Sequence, residues 1–303
     1  MKEKIILICG GSGMIGQAVS KRLHHHGYTI KLLTRSINHT IPFDQYLWDP
    51  YQGKIDKTAL NNLYGVINLS GASIGSRRWS SKRKQELFNS RILSTRFIIS
   101  QINALDKKPA VFISVSGIGI YGNTSDNKTN EKTPIVATDF LSELCIRWEA
   151  ELNNLHTDIR RSIIRVGLVL SKFDGILAKS IFPAKFGLAP IFGSGKQFYS
   201  WIHIQDLVSI VYWLLERQDA NGIYNAVANT PVTQSMFAIQ LSKQYHSRYL
   251  AFHLPHWLMR WIIGAFSMAL FTSQYIVPLR LNEAGFVFEY NDLNPALKDI
   301  LNS

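Results

Sequence analysis

The sequence predicts an α/β protein: a doubly wound parallel sheet with a smaller, mainly helical C-terminal domain. Three observations carry this. Short apolar runs recur along the first half of the chain, stretches with apolar residues at helical spacing separate them, and after residue 167 the rhythm breaks into Gly- and Pro-bearing segments. With 303 residues, 46% hydrophobic and 18% charged, the chain can bury a large core.

Taken in order, KIILIC (4–9) is a continuous apolar run, as expected of a strand buried on both faces. MIGQAVSKRLHHHG follows with Ile15, Val19 and Leu23 at helical spacing, and Gly27 ends that helix. Strands are expected again at 28–35, 64–71, 110–117 and 159–167. Between them lie helices at 80–104, with Leu87, Ile92, Leu93, Phe97 and Ile98 inward, and at 139–155, with Phe140, Leu144, Trp148, Leu152 and Leu155 on one stripe. A helix at 205–217 and a strand at 222–227 complete the pattern, and the remainder reads as helical. This gives a nucleotide-binding domain over 1–230, with a substrate-side excursion at about 168–203, and a capping domain over 231–303.

GGSGMIG (10–16) sits between the first strand and the first helix and places Gly10, Gly13 and Gly16 at G-x-x-G-x-x-G spacing. A tight turn, close backbone approach to a pyrophosphate and a helix N-terminus aimed at phosphate all require glycine there, which points to a Rossmann dinucleotide site built by Gly10, Gly11, Ser12, Gly13, Met14, Ile15 and Gly16. An NAD-preferring site would carry an acidic residue after the second strand. LLTRS instead puts Arg35 there, which points to NADP(H), since an arginine–phosphate bond is worth roughly 1.5–3 kcal/mol.

NLSGA (68–72), SVSGIGIYG (114–122) and SWIHIQDL (200–207) resemble the extended short-chain dehydrogenase/reductase superfamily. The longer segments NLSGASIGSRRWSSKRKQELFNSR (68–91), RVGLVLSKFDG (165–175), FGSGKQFYSWIHIQDLV (192–208), YNAVANTPVTQSMFA (224–238) and SQYIVPLRLNEAGFVFEYNDLNPAL (273–297) narrow the likeness. They resemble atypical NAD(P)-dependent epimerase/dehydratase family proteins with a C-terminal domain of unknown function, sometimes labelled cell division inhibitor. The resemblance spans nearly the whole chain and implies cofactor contacts from Leu69, Ser70, Gly71 and Ser114.

It also exposes a loss. In the superfamily a Tyr-x-x-x-Lys pair supplies the proton and holds the nicotinamide ribose; in DFLSEL (139–144) that pair falls on Phe140 and Leu144. A positioned general acid contributes roughly 10²–10⁴ in rate. Ser116 and Tyr121, on the loop after the strand at 110–117, are the candidate catalytic replacements. His203 and Asp206 match a His-x-x-Asp element that is commonly structural, and Cys145 on an apolar stripe is expected to be an inert thiol.

A formal charge of +12 suits anionic partners, whether nucleic acid, acidic membrane or a phosphorylated small molecule, and charge alone does not choose among them; an anionic small-molecule substrate is the expectation. In the basic run at 76–91, Arg77, Arg78 and Trp79 either line the substrate cleft or brace their loop, and the helix beyond them is either a solvated face or an anion-binding one. No nucleic-acid partner is expected. The apolar stretch at 256–271 is too short to span a membrane and reads as a buried or interfacial helix. Two cysteines make no disulfide framework, and neither they nor His24–His26 make a metal site; a cytoplasmic location fits. Two functions stand: an oxidoreductase or epimerase-type enzyme with a divergent acid/base, or a noncatalytic NADP(H)-binding redox sensor or interaction protein.

Overall fold

The computed structural model describes residues 4–302. Its centre is an eight-stranded sheet. The strands are β1 (Ile5–Cys9), β2 (Thr29–Thr34), β3 (Asp44–Asp49), β4 (Lys54–Ile55), β5 (Leu63–Asn68), β6 (Val111–Gly117) and β7 (Arg160–Val166). After the short β8 (Leu168–Leu170), β9 (Leu188–Phe192), β10 (Phe198–Tyr199) and β11 (Trp201–His203), the chain returns to the sheet as β12 (Gly222–Ala226). The order is β12-β7-β6-β5-β1-β2-β3-β4, parallel except where β4 closes the edge antiparallel to β3. β3 and β4 were not foreseen: DQYLWD carries two acids and no continuous apolar run.

Alternation in β1 feeds two cores. Ile6 and Ile8 pack under α1 (Met14–His25), while Leu7 and Cys9 face α2 (Ser81–Asn103). α3 (Phe140–Ala150) and the turn after it complete the second face through Leu152 and Leu155. On α2, Leu87 and Ile98 are buried as expected, but Ile92, Leu93 and Phe97 are only partly so.

The excursion contains α4 (Gly175–Ala184), and α5 (Ile204–Glu216) then covers the first face beside α1. Beyond residue 230 come β13 (Val232–Thr233), α6 (Gln234–Lys243) and β14 (Leu250–Leu254). The chain ends in α7 (His256–Ile263), α8 (Ser267–Phe271), α9 (Leu279–Glu283) and α10 (Leu293–Asn302). The C-terminal part is therefore not wholly helical: β13 pairs with β10 and β14 with β9. Excursion and C-terminal segment share one apolar cluster, in which Leu177 and Trp201 meet Phe237 and Leu297. The stretch at 256–271 is not one helix, because Gly264 at φ +67° breaks it. Among the described residues no helix is long and apolar enough to cross a membrane.

His203 and Asp206 anchor this C-terminal segment. Both Asp206 carboxylate oxygens accept backbone N–H bonds, from Glu289 (2.8 Å) and Tyr290 (3.0 Å). His203 caps α5 by accepting the Gln205 N–H at Nδ1 (3.1 Å), stacks on Tyr290 at 3.9 Å and sets Nε2 3.3 Å from Asp299. With Nδ1 accepting, the neutral ring carries its proton on Nε2.

Burial lowers the His203 pKa, against the opposing pull of Asp299 and Glu289. The unfolded chain therefore binds the proton first, so this contribution to stability is full above about pH 6.5 and is lost as pH falls toward the folded value. Melting curves from pH 7.5 to 5 should show stability falling with acid by no more than about 1.4 kcal/mol per pH unit from this group. His203→Asn, which keeps a capping side chain, should flatten that slope.

Candidate functional site

The strand order reverses direction at β1, which lies between β2 and β5, and the carboxyl ends of these strands open a crevice. The glycine loop leaves β1 there. A Cβ on Gly10 (φ +78°) would lie 2.7 Å from the Leu69 carbonyl oxygen, and one on Gly16 would lie 2.5 Å from the Gly10 oxygen. These two glycines are demanded by packing of the loop against β5 and of α1 against the loop. Gly13 is different: its φ is −75° and a Cβ would meet nothing nearer than 3.5 Å. The fold does not need glycine at 13, but a ligand approaching the backbone does. α1 has no side-chain cap and no acidic residue in its first turn, leaving its N-terminal partial positive charge open to an anion.

A cavity of about 270 Å³ lies over this loop. Of the residues expected from sequence, Gly10, Ser12, Gly13, Arg35, Leu69, Ser70 and Gly71 line it. Gly11, Met14, Ile15 and Gly16 belong to the same loop and first helical turn without lining it, and Ser114 is buried within β6. The Ser70 hydroxyl is buried without a hydrogen-bond partner, the mark of a group whose partner is a ligand or water.

Several lining residues escaped the sequence reading. Trp48 and Tyr51 come from the overlooked β3 and the turn after it, and Ser36 follows Arg35. Glu86, Ser90 and Ser94 are spaced by four on α2, a polar stripe turned to the cavity. That spacing is a sequence signal in its own right, interleaved with the basic residues of the same helix. Glu86 holds Arg83 at 2.7 Å, and that bond lowers its pKa.

The basic helix is not a plain solvated face, because Arg83 and Arg91 turn inward. Arg83 donates to the Ser73 carbonyl and, at 3.0 Å, to the Ser76 hydroxyl. Arg91 donates to the carbonyls of Ala72 (3.0 Å) and Leu87 (3.3 Å), lies 5.3 Å from the Trp148 ring and presses on Gly71, where a Cβ would stand 2.9 Å from its guanidinium carbon. Among the described residues Arg91 is in no ion pair with a carboxylate, and burial pushes its pKa down to about 10. An uncompensated cation thus backs the wall of the crevice.

DFLSEL forms the start of α3. Asp139 accepts the Ser142 N–H (2.8 Å) and the Ser142 hydroxyl accepts the Asp139 N–H (2.9 Å), a reciprocal capping box. Phe140 packs edge-on against Trp79 (5.1 Å) and Phe88 (5.4 Å), and Leu144 is fully buried. Trp79 in turn packs on Phe266 (5.7 Å) and donates from Nε1 to the Ile74 carbonyl, so it braces its loop. Arg77 and Arg78 line a second cavity beyond that loop.

The geometry speaks against Tyr121 as a free proton donor. Its hydroxyl donates to Asn225 Oδ1 (2.9 Å) and accepts from Arg165 Nη1 (2.9 Å), and burial raises its pKa. Ser116 is buried and makes no well-formed hydrogen bond, although its hydroxyl helps offset the upward push of burial on the Cys145 thiol, whose pKa is about 11. Neither Ser116 nor Tyr121 lines the cofactor crevice. Among the described residues no cluster of His, Cys, Asp or Glu is arranged for a metal.

Fold and crevice together define a dinucleotide-binding short-chain dehydrogenase/reductase. The chain belongs to the NAD dependent epimerase/dehydratase family, which it matches over residues 6–226, followed by a domain of unknown function (DUF1731) over 254–300. It is 31% identical to the epimerase family protein ML0860 of Mycobacterium leprae, over 98% of this chain and 95% of that one. It is also 31% identical to the chloroplastic SDR39U1 homolog of Arabidopsis thaliana, over 99% of this chain and 87% of that protein. Among solved structures, human epimerase family protein SDR39U1 (isoform 2), crystallised with NADPH, superposes with a TM-score of 0.90 at 27% identity, covering 99% of both chains.

Two alanine substitutions should separate fold from ligand. Gly13→Ala should leave Tm within about 0.5 kcal/mol equivalent yet weaken dinucleotide binding by at least roughly tenfold. Gly16→Ala should lower Tm itself, because the loop backbone must move. Calorimetric melting and cofactor titration of both variants check this.

Proposed function

We propose that this chain is an NADP(H)-dependent oxidoreductase or epimerase-type enzyme acting on a small molecule. The single observation that carries the cofactor reading is Gly13, a glycine the fold does not require, at an uncapped helix N-terminus facing the crevice. Ser12, Gly13 and the first amides of α1 would hold the pyrophosphate, Ser70 the adjoining ribose or phosphate, and Arg35 with Ser36 the 2′-phosphate. A bound nicotinamide would accept or give hydride. Arg35 lines the crevice with no ion-pair partner among the described residues; Glu86 and Tyr51 feel its charge only at longer range. NADPH in the human relative supports the same preference.

Acid/base chemistry has to come from outside the Tyr-x-x-x-Lys positions. Ser116 is the better of the two proposed replacements, because its hydroxyl is not committed to a strong network. The register pairs Asn68 with Ser114, so Ser70 and Ser116 stand two residues further along adjacent chains. A noncatalytic NADP(H)-binding role has one observation of its own in favour: the two positions that the resemblance gives to the catalytic pair, Phe140 and Leu144, are taken up in packing.

Titration with NADPH and NADH, followed by nicotinamide fluorescence, tests the cofactor. NADPH should bind about 10- to 100-fold tighter than NADH, and Arg35→Ser should erase most of that ratio. Equal affinity would remove the assignment of Arg35. NADPH oxidation with a carbonyl compound, lost in Ser116→Ala, would favour the enzyme over the sensor, while tight binding without turnover would favour the sensor.

A further inference from the structure

The second cavity, of about 590 Å³, falls within the roughly 300–1,000 Å³ of small-molecule sites. It lies between the loop at 73–78, α4 and the α7–α8 region. That loop joins the two sites: Ala72 lines the cofactor crevice and Ser73 the second cavity. Its lining chemistry is unlike that of a sugar-nucleotide site. Ile176, Phe192, Leu254, Ile263, Phe266 and Leu270 make an apolar wall drawn from both the excursion and the C-terminal segment. The uncharged polar side chains are three serines, with no Asn, Gln, Glu, His or Tyr in the lining to read a base or a ring of hydroxyls.

The charged groups have one sign in excess. Arg77, Arg78 and Lys179 stand against Asp174 alone, whose Oδ1 accepts the Gly175 N–H (2.6 Å), so positive charge remains in excess even with that carboxylate counted. Lys179 Nζ donates to the Gly75 carbonyl (2.7 Å) and Arg78 Nη2 to the Trp261 carbonyl (2.7 Å), contacts that fix both cations without neutralising them. None of the three is in an ion pair among the described residues; Arg77 acts on Glu86 only at longer range.

We propose that this cavity binds an amphiphilic organic acid: an apolar chain or fused ring lying against Ile263, Phe266 and Leu270, with a carboxylate or phosphate at Arg77, Arg78 and Lys179. The inference rests on the cofactor reading only in making this acid the substrate; binding itself stands without it. Charge and apolar wall specify complementary halves of one molecule.

Isothermal titration calorimetry on the intact protein, with and without NADPH, should show dodecanoate or dodecyl phosphate binding at least about tenfold tighter than dodecanol, and UDP-glucose neither binding nor competing. The double variant Arg77→Gln, Lys179→Gln should weaken the acid by about tenfold or more while leaving dodecanol unchanged. Ile263→Glu should abolish both, with NADPH binding retained as the sign that the chain is folded. Should that variant fail to fold, the surface pair Arg77→Gln, Lys179→Gln still decides. Tighter binding of UDP-glucose than dodecanoate, equal binding of acid and alcohol, or no amphiphile binding by protein that holds NADPH would each overturn the proposal. Amphiphile binding with no NADPH binding would leave it standing and sink the cofactor reading instead.

Discussion

A buried ion pair holds the parts of this molecule in register. Glu149 on α3 grips Arg165 on β7 through two parallel bonds of 2.9 and 2.8 Å, with the arginine side chain only 2% exposed. Burial alone would weaken the arginine's charge, but the two-pronged carboxylate more than offsets that and raises its pKa. Its remaining amine meets the Tyr121 hydroxyl, which meets Asn225 on β12, whose side-chain amide donates to the Val277 carbonyl at 3.1 Å. Helix, sheet and C-terminal segment thus share one polar chain. Such a pair is weak as a source of stability but costly to halve, about 3–5 kcal/mol, because a lone buried charge remains.

This explains why α3 persists without its catalytic residues. Trp148 donates to Thr95 and Glu149 holds Arg165, and Glu151 just beyond the helix holds Arg96, so the C-terminal end of α3 is tied to α2 and β7. The positions vacated by tyrosine and lysine lie on its first turns, where Phe140 supports Trp79 and Leu144 fills the core. What was a site of proton transfer in the family pattern is here a joint between the nucleotide domain and the loop bordering the second cavity.

Much of this was legible in the sequence, for physical reasons that also mark where legibility ends. A strand buried on both faces must be apolar throughout, so β1 and β6 announce themselves; β3, with exposed Asp44 and Leu47 at the sheet edge, has no such constraint and was missed. Gly10 and Gly16 stand where close backbone contact leaves no room for a side chain, a constraint that their spacing in the sequence reflects. The roles of Tyr121, Arg83 and Arg91 were not readable: Tyr121 meets partners more than forty positions away, and the two arginines fold back on carbonyls of the loop before their helix, contacts that tertiary packing decides. The second cavity was invisible for the same reason: its walls come from four separated segments.

The distribution of charge gives the net of +12 a meaning that the number lacks. Arg165 is neutralised inside the fold, but Arg91 is buried against carbonyls and the Trp148 ring, behind Gly71 and Ala72, and among the described residues Arg35, Arg77, Arg78 and Lys179 border cavities without ion-pair partners. A cation taken out of water is costly unless something of opposite sign meets it. Of these four and Arg91, only Arg91 is buried and bears that cost; the other four are exposed. The two cavities are lined by consecutive parts of the 69–79 loop, which couples them through one stretch of chain. That coupling runs through Gly71, which must lack a side chain for Arg91 to lie so close, and through Trp79, which fixes the loop against both Phe140 and Phe266. Phe140 and Leu144, at the positions that the resemblance gives to tyrosine and lysine, are therefore compatible with the cations gathered around the two cavities.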